Sequence, residues 1–169
     1  YAAVLLFDSG ASADEEESIK YLKMAIEMGD LNAMNIYGLI LNDNRRFSFN
    51  KEKAIHYFKM PADRGNPDAM FNYAVMLLDG DGVPVNKEKS AKYFKMAADQ
   101  GNLYALYYYT KMLYNGDVIP VNKEESTKYL KILADQGNLS AMFIYAKMLF
   151  FGDGVPVNKE ESGKYLKMA

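Results

Sequence analysis

Four short stretches hold residue types at spacings that can do chemistry. Ser48-Phe49-Asn50-Lys51 fits S-x-x-K, in which a lysine assists a serine nucleophile. That pattern fixes only two letters, the chain is rich in lysine, and the companion S-D-N and K-T-G motifs are missing. Asp79-Gly80-Asp81-Gly82 has the acidic, glycine-bent start of a calcium loop. Such a loop needs more oxygen ligands at fixed offsets and a closing bidentate acid, whereas Val83 and Val85 follow here. His56 is the only histidine, and a general base or metal ligand is its obvious chemistry. It stands, however, where Lys20, Lys92, Lys128 and Lys164 stand in like segments, and no second ligand accompanies it. Asn138-Leu139-Ser140 is a glycosylation sequon that also reads as an ordinary helix start. No glycine-rich loop follows a strand, so nothing cradles a phosphate. These stretches predict no catalytic residue, no metal site and no cofactor.

The elements that position these residues come from a repeat. The segment Asn86–Asn102, NKEKSAKYFKMAADQGN, returns 36 residues later as NKEESTKYLKILADQGN and 36 residues earlier as NKEKAIHYFKMPADRGN. A further copy, DEEESIKYLKMAIEMGD, begins at Asp14, and NKEESGKYLKMA begins at Asn158. Gly29, Gly65, Gly101 and Gly137 are evenly placed, as are Ala33, Ala69, Ala105 and Ala141, so the period admits no insertion. A fixed period of this size marks supersecondary units that stack on their neighbours. The expected organisation is one array over residues 1–169: a partial repeat 1–30, full repeats 31–66, 67–102 and 103–138, and a last repeat 139–169. Tyr1 falls at the slot of Tyr37 and Ala169 at that of Ala97, both inside helices, so a longer parent array is expected.

Each period predicts two helices. Helix A of the second full repeat starts at Pro67, a favoured first helical residue, and ends near Asp79 before Gly80-Asp81-Gly82. Val83-Pro84-Val85 is extended, because a residue before proline avoids helical dihedrals. Helix B follows from Asn86, an N-cap, and closes at Gly101 in the left-handed region. Asn122 with Glu125, Asn158 with Glu161, and Asp14 with Glu17 form capping boxes. In helix B, Ser90, Tyr93, Phe94, Ala97 and Ala98 make one face, and Glu–Lys pairs at i, i+4 (Glu88–Lys92, Glu124–Lys128, Glu160–Lys164) line the other. Helix A buries Ala69, Tyr73, Met76 and Leu77, with a small residue at Gly38, Ala74 and Ala146 for close helix approach. Tyr37, Tyr73, Tyr109 and Tyr145 recur at one buried slot.

This text resembles the Sel-one-like repeat: Ala33, Tyr37, Gly38 and Leu41, a glycine loop, Asn/Asp-Lys-Glu, then Tyr-Phe/Leu-Lys-Met-Ala-Ala-Asp-Gln-Gly-Asn. The Gly-Asp-Gly-Val-Pro-Val-Asn loop separates it from plain tetratricopeptide repeats, which run to about 34 residues. The resemblance implies an all-α, right-handed α/α solenoid of helix–turn–helix repeats. It also implies an adaptor role of the kind that assembles protein complexes, including ubiquitin-ligase quality-control machinery and signalling regulators. Relatives connected with penicillin-recognising chemistry are cysteine-rich, and this chain has no cysteine, which leaves that hydrolase reading remote. Three departures stand out: Asn44-Arg45-Arg46-Phe47-Ser48-Phe49 lacks the loop's glycines and proline, Val118 replaces a loop glycine, and Pro61 sits inside helix B, where a bend is expected.

Slots that repeat are explained by packing between units; slots that vary are free for recognition. At about 100° per residue, helix A's varied positions gather opposite Ala69 and Tyr73. They are Asp68, Phe71, Val75 and Leu78, then Tyr104, Tyr107, Lys111 and Tyr114, then Ser140, Phe143, Lys147 and Phe150. Related helical repeats present this side on their concave surface. Large aromatics beside a few lysines suit a protein-binding surface, so these positions, Asp68 and Ser140 apart, are the expected partner-binding residues. The competing expectation is a structural spacer, with contacts on helix B or the loops. The net charge of -2 and interleaved lysines and glutamates give no basic stripe for nucleic acid. No apolar run approaches the roughly 20 residues of a membrane span. The expected partner is a protein or peptide, and the absence of cysteine fits the cytoplasm.

Overall fold

A computed structural model describes residues 12–43, 50–116 and 118–169, with side chains from residue 16 onward. Ser48, the Arg45-Arg46 loop and Tyr1–Phe7 lie outside the described residues. The chain divides into two compact units, Tyr1–Asn86 and Lys87–Ala169. The first holds α1 (Ser12–Glu27), α2 (Leu31–Asn42), α3 (Lys51–Asp63) and α4 (Pro67–Asp79). The second holds α5 (Lys87–Asp99), α6 (Leu103–Asn115), α7 (Lys123–Asp135), α8 (Leu139–Phe151) and α9 (Lys159–Met168). No strand occurs among the described residues, and within each unit every helix packs on the next in the chain. The fold is all-α, built from helix–turn–helix repeats.

The hinge from helix B to the next helix A uses two residues for four tasks. At the end of α5, the Gly101 N–H donates to Ala98 and the Asn102 N–H to Ala97, with Gly101 at φ 90°. That is a Schellman closure, and glycine supplies the left-handed residue it requires. Asn102 then caps α6 by accepting the Ala105 N–H at 2.8 Å. The same hinge recurs at Asn66 and Asn138, whose side chains accept from Ala69 and Ala141. The evenly placed glycines and alanines are therefore parts of one hydrogen-bonded joint.

The longer A-to-B loop is tied back in a second way. The Asn122 N–H donates to the Leu113 carbonyl at 3.0 Å, and Asn158 does the same to Leu149 at 2.8 Å. With that N–H engaged, the expected capping boxes close through the side chain instead. Asn122 and Asn158 each accept the N–H of the glutamate three residues on, at 3.0 Å, and donate their amide N–H to its carboxylate at 2.9 Å. The Asp14–Glu17 box is corrected: α1 begins at Ser12, so Asp14 lies inside the helix rather than at its cap. Val118 itself does not take the positive φ of the glycines at its slot in other copies, Gly82 and Gly154. Pro61 is buried within α3, which spans 13 residues, the same as α5.

Packing follows the expected faces. Ser90, Ser126 and Ser162 on helix B are fully buried, and the Ser162 hydroxyl donates to the Ala146 carbonyl of α8 at 2.7 Å. Where the slot holds Thr110 instead of a small residue, the equivalent Ser126 contact lengthens to 3.4 Å. On α2 the slot is Gly38, where an added Cβ would lie 2.7 Å from the Phe58 ring. Tyr73, Tyr109 and Tyr145 are buried, whereas Tyr37 is half-buried. Glu124–Lys128 and Glu160–Lys164 close at 2.8 and 3.1 Å.

Candidate binding cleft

The varied slots of α6 and α8 run side by side in the second unit. Asn caps start both helices one residue past a hinge glycine, so their residues fall in register: Tyr107 with Phe143, Lys111 with Lys147, Tyr114 with Phe150. Between these helices lies a cleft of about 610 Å³. Its walls are Tyr107, Tyr114, Phe143 and Phe151, and its buried floor includes Thr110, Leu130 and Met148. Lys111, Lys147 and Asp153 also line it. Phe143 is 53% exposed and Phe151 is 70% exposed, so large apolar rings meet solvent beside an apolar floor. A cleft of several hundred Å³ with a few polar groups on an apolar lining has the form of a ligand site.

The hydroxyl protons of the floor are engaged within the fold, with Ser126 donating to the Thr110 carbonyl at 3.4 Å. The Thr110 hydroxyl donates to the Leu106 carbonyl at 2.6 Å. The rim is charged unevenly. Lys123 donates to Asp153 at 2.7 Å, Tyr114 donates to its other oxygen at 3.2 Å, and Lys123 stands 5.5 Å from the Tyr114 ring. Hydrogen bonding from Lys123 holds the Asp153 carboxyl below the ordinary carboxylate range, and the same bond raises the Lys123 ammonium. Asp153 is thus neutralised inside the fold. Lys111 and Lys147 are exposed and make no ion pair among the described residues. Each stands over the aromatic ring one turn earlier, Lys111 at 5.7 Å from Tyr107 and Lys147 at 5.9 Å from Phe143.

Of the expected binding residues, Tyr107, Lys111, Tyr114, Phe143 and Lys147 line this cleft. Tyr104, 73% exposed, lines a second cleft that shares Tyr107. Phe150 lies off both linings, against Phe151 at 5.0 Å, with Lys159 at 5.2 Å from its ring. Phe71, Val75 and Leu78 lie on α4 in the first unit, each half-buried. Phe151, Ile144, Met148 and Asp153 also line the cleft and were missed from the sequence. The signal lay in the heptad-like spacing of Ile144, Lys147 and Phe151, which points the cleft slightly to one side of the Phe143–Phe150 line.

The chemical stretches resolve into structural roles. His56 is exposed with its ring edge-on to Tyr57 at 5.7 Å. Asp81 is ion-paired with Lys51. Asn138 spends its side-chain oxygen on the α8 cap. Among the described residues no group of His, Cys, Asp and Glu is placed to hold a metal ion.

Two packed helices per period, a glycine-bearing loop inside the period and a Gly-Asn hinge between periods define a protein of the α/α-repeat class. The chain belongs to the Sel1 repeat family, whose signature matches residues 1–30, 33–66, 67–102, 103–138 and 139–169. The chain is similar to a Sel1 repeat protein from Oxalobacter formigenes, at 28% identity and a TM-score of 0.88, covering 99% of this chain and 50% of that one. It is similar in fold to c5321, a protective antigen of uropathogenic Escherichia coli displaying an SLR fold (20% identity, TM-score 0.88, 99% and 36% coverage). A looser fold likeness joins it to Helicobacter pylori cysteine-rich protein B (13% identity, TM-score 0.54, 71% and 89% coverage). The chain therefore spans half or less of the length of the first two. No curated protein sequence matches it significantly. Sel1 repeats are in general protein-interaction scaffolds. No described helix is long and apolar enough to cross a membrane.

Proposed function

We propose that this chain is a non-catalytic adaptor that holds a segment of a partner protein along the varied face of its A helices. In the second unit the site is the cleft between α6 and α8, with Tyr107, Tyr114 and Phe143 as anchors and Lys111 and Lys147 at the rim; Tyr104 and Phe150 flank it. In the first unit Phe71, Val75 and Leu78 occupy the equivalent slots of α4. One observation carries the reading: the cleft has exposed aromatic walls and an apolar floor whose hydroxyl is already hydrogen-bonded. Aromatic side chains give large contact area at low rotamer cost, which suits recognition of a peptide. Catalysis would instead need convergent titratable groups. Among the described residues, the lining carboxylate Asp153 is tied to Lys123 and Tyr114.

The test selects peptides from a random phage-displayed library against the chain. Affinity is then measured for the wild type and the Tyr107→Ala/Phe143→Ala variant beside thermal unfolding. The expected loss is roughly 2–4 kcal/mol of binding with little change in Tm, as for hot-spot aromatics. Peptides that bind the double variant as tightly as the wild type would move the contact surface to helix B or the loops. Unfolding of the variant at much lower temperature would return both rings to the core.

A further inference from the structure

Resting on that reading, we infer that the segment taken by the α6–α8 cleft is acidic: a bulky apolar side chain enters the floor while flanking carboxylates meet Lys111 and Lys147. The argument is one of charge left over. Of the charged groups on the cleft, Asp153 is satisfied by Lys123 and Tyr114, which leaves two exposed ammonium groups without a carboxylate among the described residues. Elsewhere in this unit four helix B lysines are matched by acids one turn away on their own helix: Lys95 to Asp99, Lys128 to Glu124, Lys131 to Asp135 and Lys164 to Glu160. The cleft lysines differ because helix A offers no acid one turn away; their i-4 neighbours are Tyr107 and Phe143. A ring under each ammonium directs it over an apolar wall, where a carboxylate arriving with a partner is partly desolvated and each charge contact strengthens.

The placement also gives the ligand a direction. Along both helices the order is aromatic, lysine, aromatic, with Lys111 and Lys147 in the same register and 36 residues apart. Two cations in one row, beside a floor of Leu130 and Met148, fit an apolar side chain with acids next to it. The equivalent slots are Val75 on α4 and Leu39 on α2, so the cationic row belongs to the second unit alone. A chain of net charge -2 gathers no wider basic field, which favours a short acidic peptide over nucleic acid.

The same peptide library separates this inference from the one beneath it. Peptides recovered on the wild type are expected to carry Asp or Glu beside an aromatic or large aliphatic residue. Their affinity should fall at least about tenfold in Lys111→Glu/Lys147→Glu and weaken with added salt. The reversed protein should in turn prefer the same peptides with Lys in place of their acids. Both lysines are exposed, so the variant is expected to fold, and its unchanged Tm is the control. Peptides that lose binding in Tyr107→Ala/Phe143→Ala but show no acidic enrichment, or ignore the charge reversal, overturn this inference and leave the adaptor reading standing. Peptides that ignore the aromatic variant overturn both. Tighter binding of a single-stranded oligonucleotide than of any peptide at the two lysines also overturns it.

Discussion

At the level of single residues, two glycines in helices make opposite forecasts. Gly38 faces the Phe58 ring, itself only 1% exposed, and a Cβ there would stand 2.7 Å from it. A ring locked in the core cannot swing away, so Gly38→Ala is expected to cost about 1–3 kcal/mol as an overpacked contact. Gly163, in the middle of α9, has nothing within 4 Å of an added Cβ. Gly163→Ala should add about 0.5–1 kcal/mol by restricting the unfolded chain and favouring helix. Urea titrations on the two variants check this, and a shift of the same sign in both would contradict it. A second forecast concerns pH. Tyr165 donates to Asp135 at 2.5 Å and Lys131 donates to the same carboxylate at 3.0 Å. These bonds hold the Asp135 carboxyl below its ordinary value. Such a group stabilises the fold above the unfolded value, and its contribution is lost as pH falls through the folded one. Stability should therefore decline below about pH 4. Asp135→Asn should flatten that decline by only a few tenths of a kcal/mol, about what a half-exposed pair contributes. Lys131 is shifted the other way by its bond to Asp135, and Tyr165 is raised chiefly by burial. Their contributions persist below about pH 10 and fade as pH rises beyond it. Thermal unfolding across this range tests both limbs.

At the level of elements, stability resides where one helix touches the next. Tyr109 on α6 is 8% exposed, with the Tyr129 ring of α7 at 6.0 Å and the Lys95 ammonium of α5 at 5.8 Å from its ring. Tyr109→Ala empties a site bordered by three helices and should cost about 3–5 kcal/mol. His56→Ala, on an exposed face, should stay within about 0.5 kcal/mol. Similar midpoints for the two variants in urea would overturn this assignment of faces. The helix bounds were legible because each is written twice, once by periodicity and once by a cap: Asn66 and Gly80 bracket α4, and Asn138 and Gly152 bracket α8. The start of α1 was not, because Asp14 resembles the Asn caps of later copies while nothing local stops the helix from extending back to Ser12. The cleft was legible in part for a similar reason. Helical phase assigns Tyr107, Lys111 and Phe143 to one face, but depth depends on how neighbouring helices are turned. Phe150 and Phe151 are adjacent in sequence, and only the packed structure selects Phe151 for the lining.

At the level of the molecule, a repeat array makes stability a matter of neighbours, and the second unit shows the gradient. Helix α7 has α6 on one side and α8 on the other, with Leu130, Leu133 and Ala134 all buried. Helix α9 packs on α8, while Leu166 is 49% and Met168 is 61% exposed. In a quasi-one-dimensional stack each interface adds its own term, so α9, held by α8 and by the Tyr165 bonds to α7, should open at lower free energy than α7, which packs on both α6 and α8. Side-chain bonds link α7 and α9 as well. Lys131 of α7 reaches Asp135 on its own helix and the Tyr165 hydroxyl on α9, and stands 6.0 Å from the Tyr145 ring. Lys167, the like residue on α9, is exposed. Amide hydrogen exchange in this 169-residue chain is therefore expected to be faster throughout α9 than in α7, by more than end fraying of the last turn. The comparison should use Tyr165 and Leu166 against Tyr129 and Leu130, which occupy like slots and so share intrinsic helix position. Equal protection at those pairs, lost on dilution, would show a second copy covering the exposed face of α9. Equal protection independent of concentration would show that α8 and the Tyr165 bonds to α7 hold α9 as firmly as two packed neighbours hold α7, and nearest-neighbour stacking would then fail as the account of this unit.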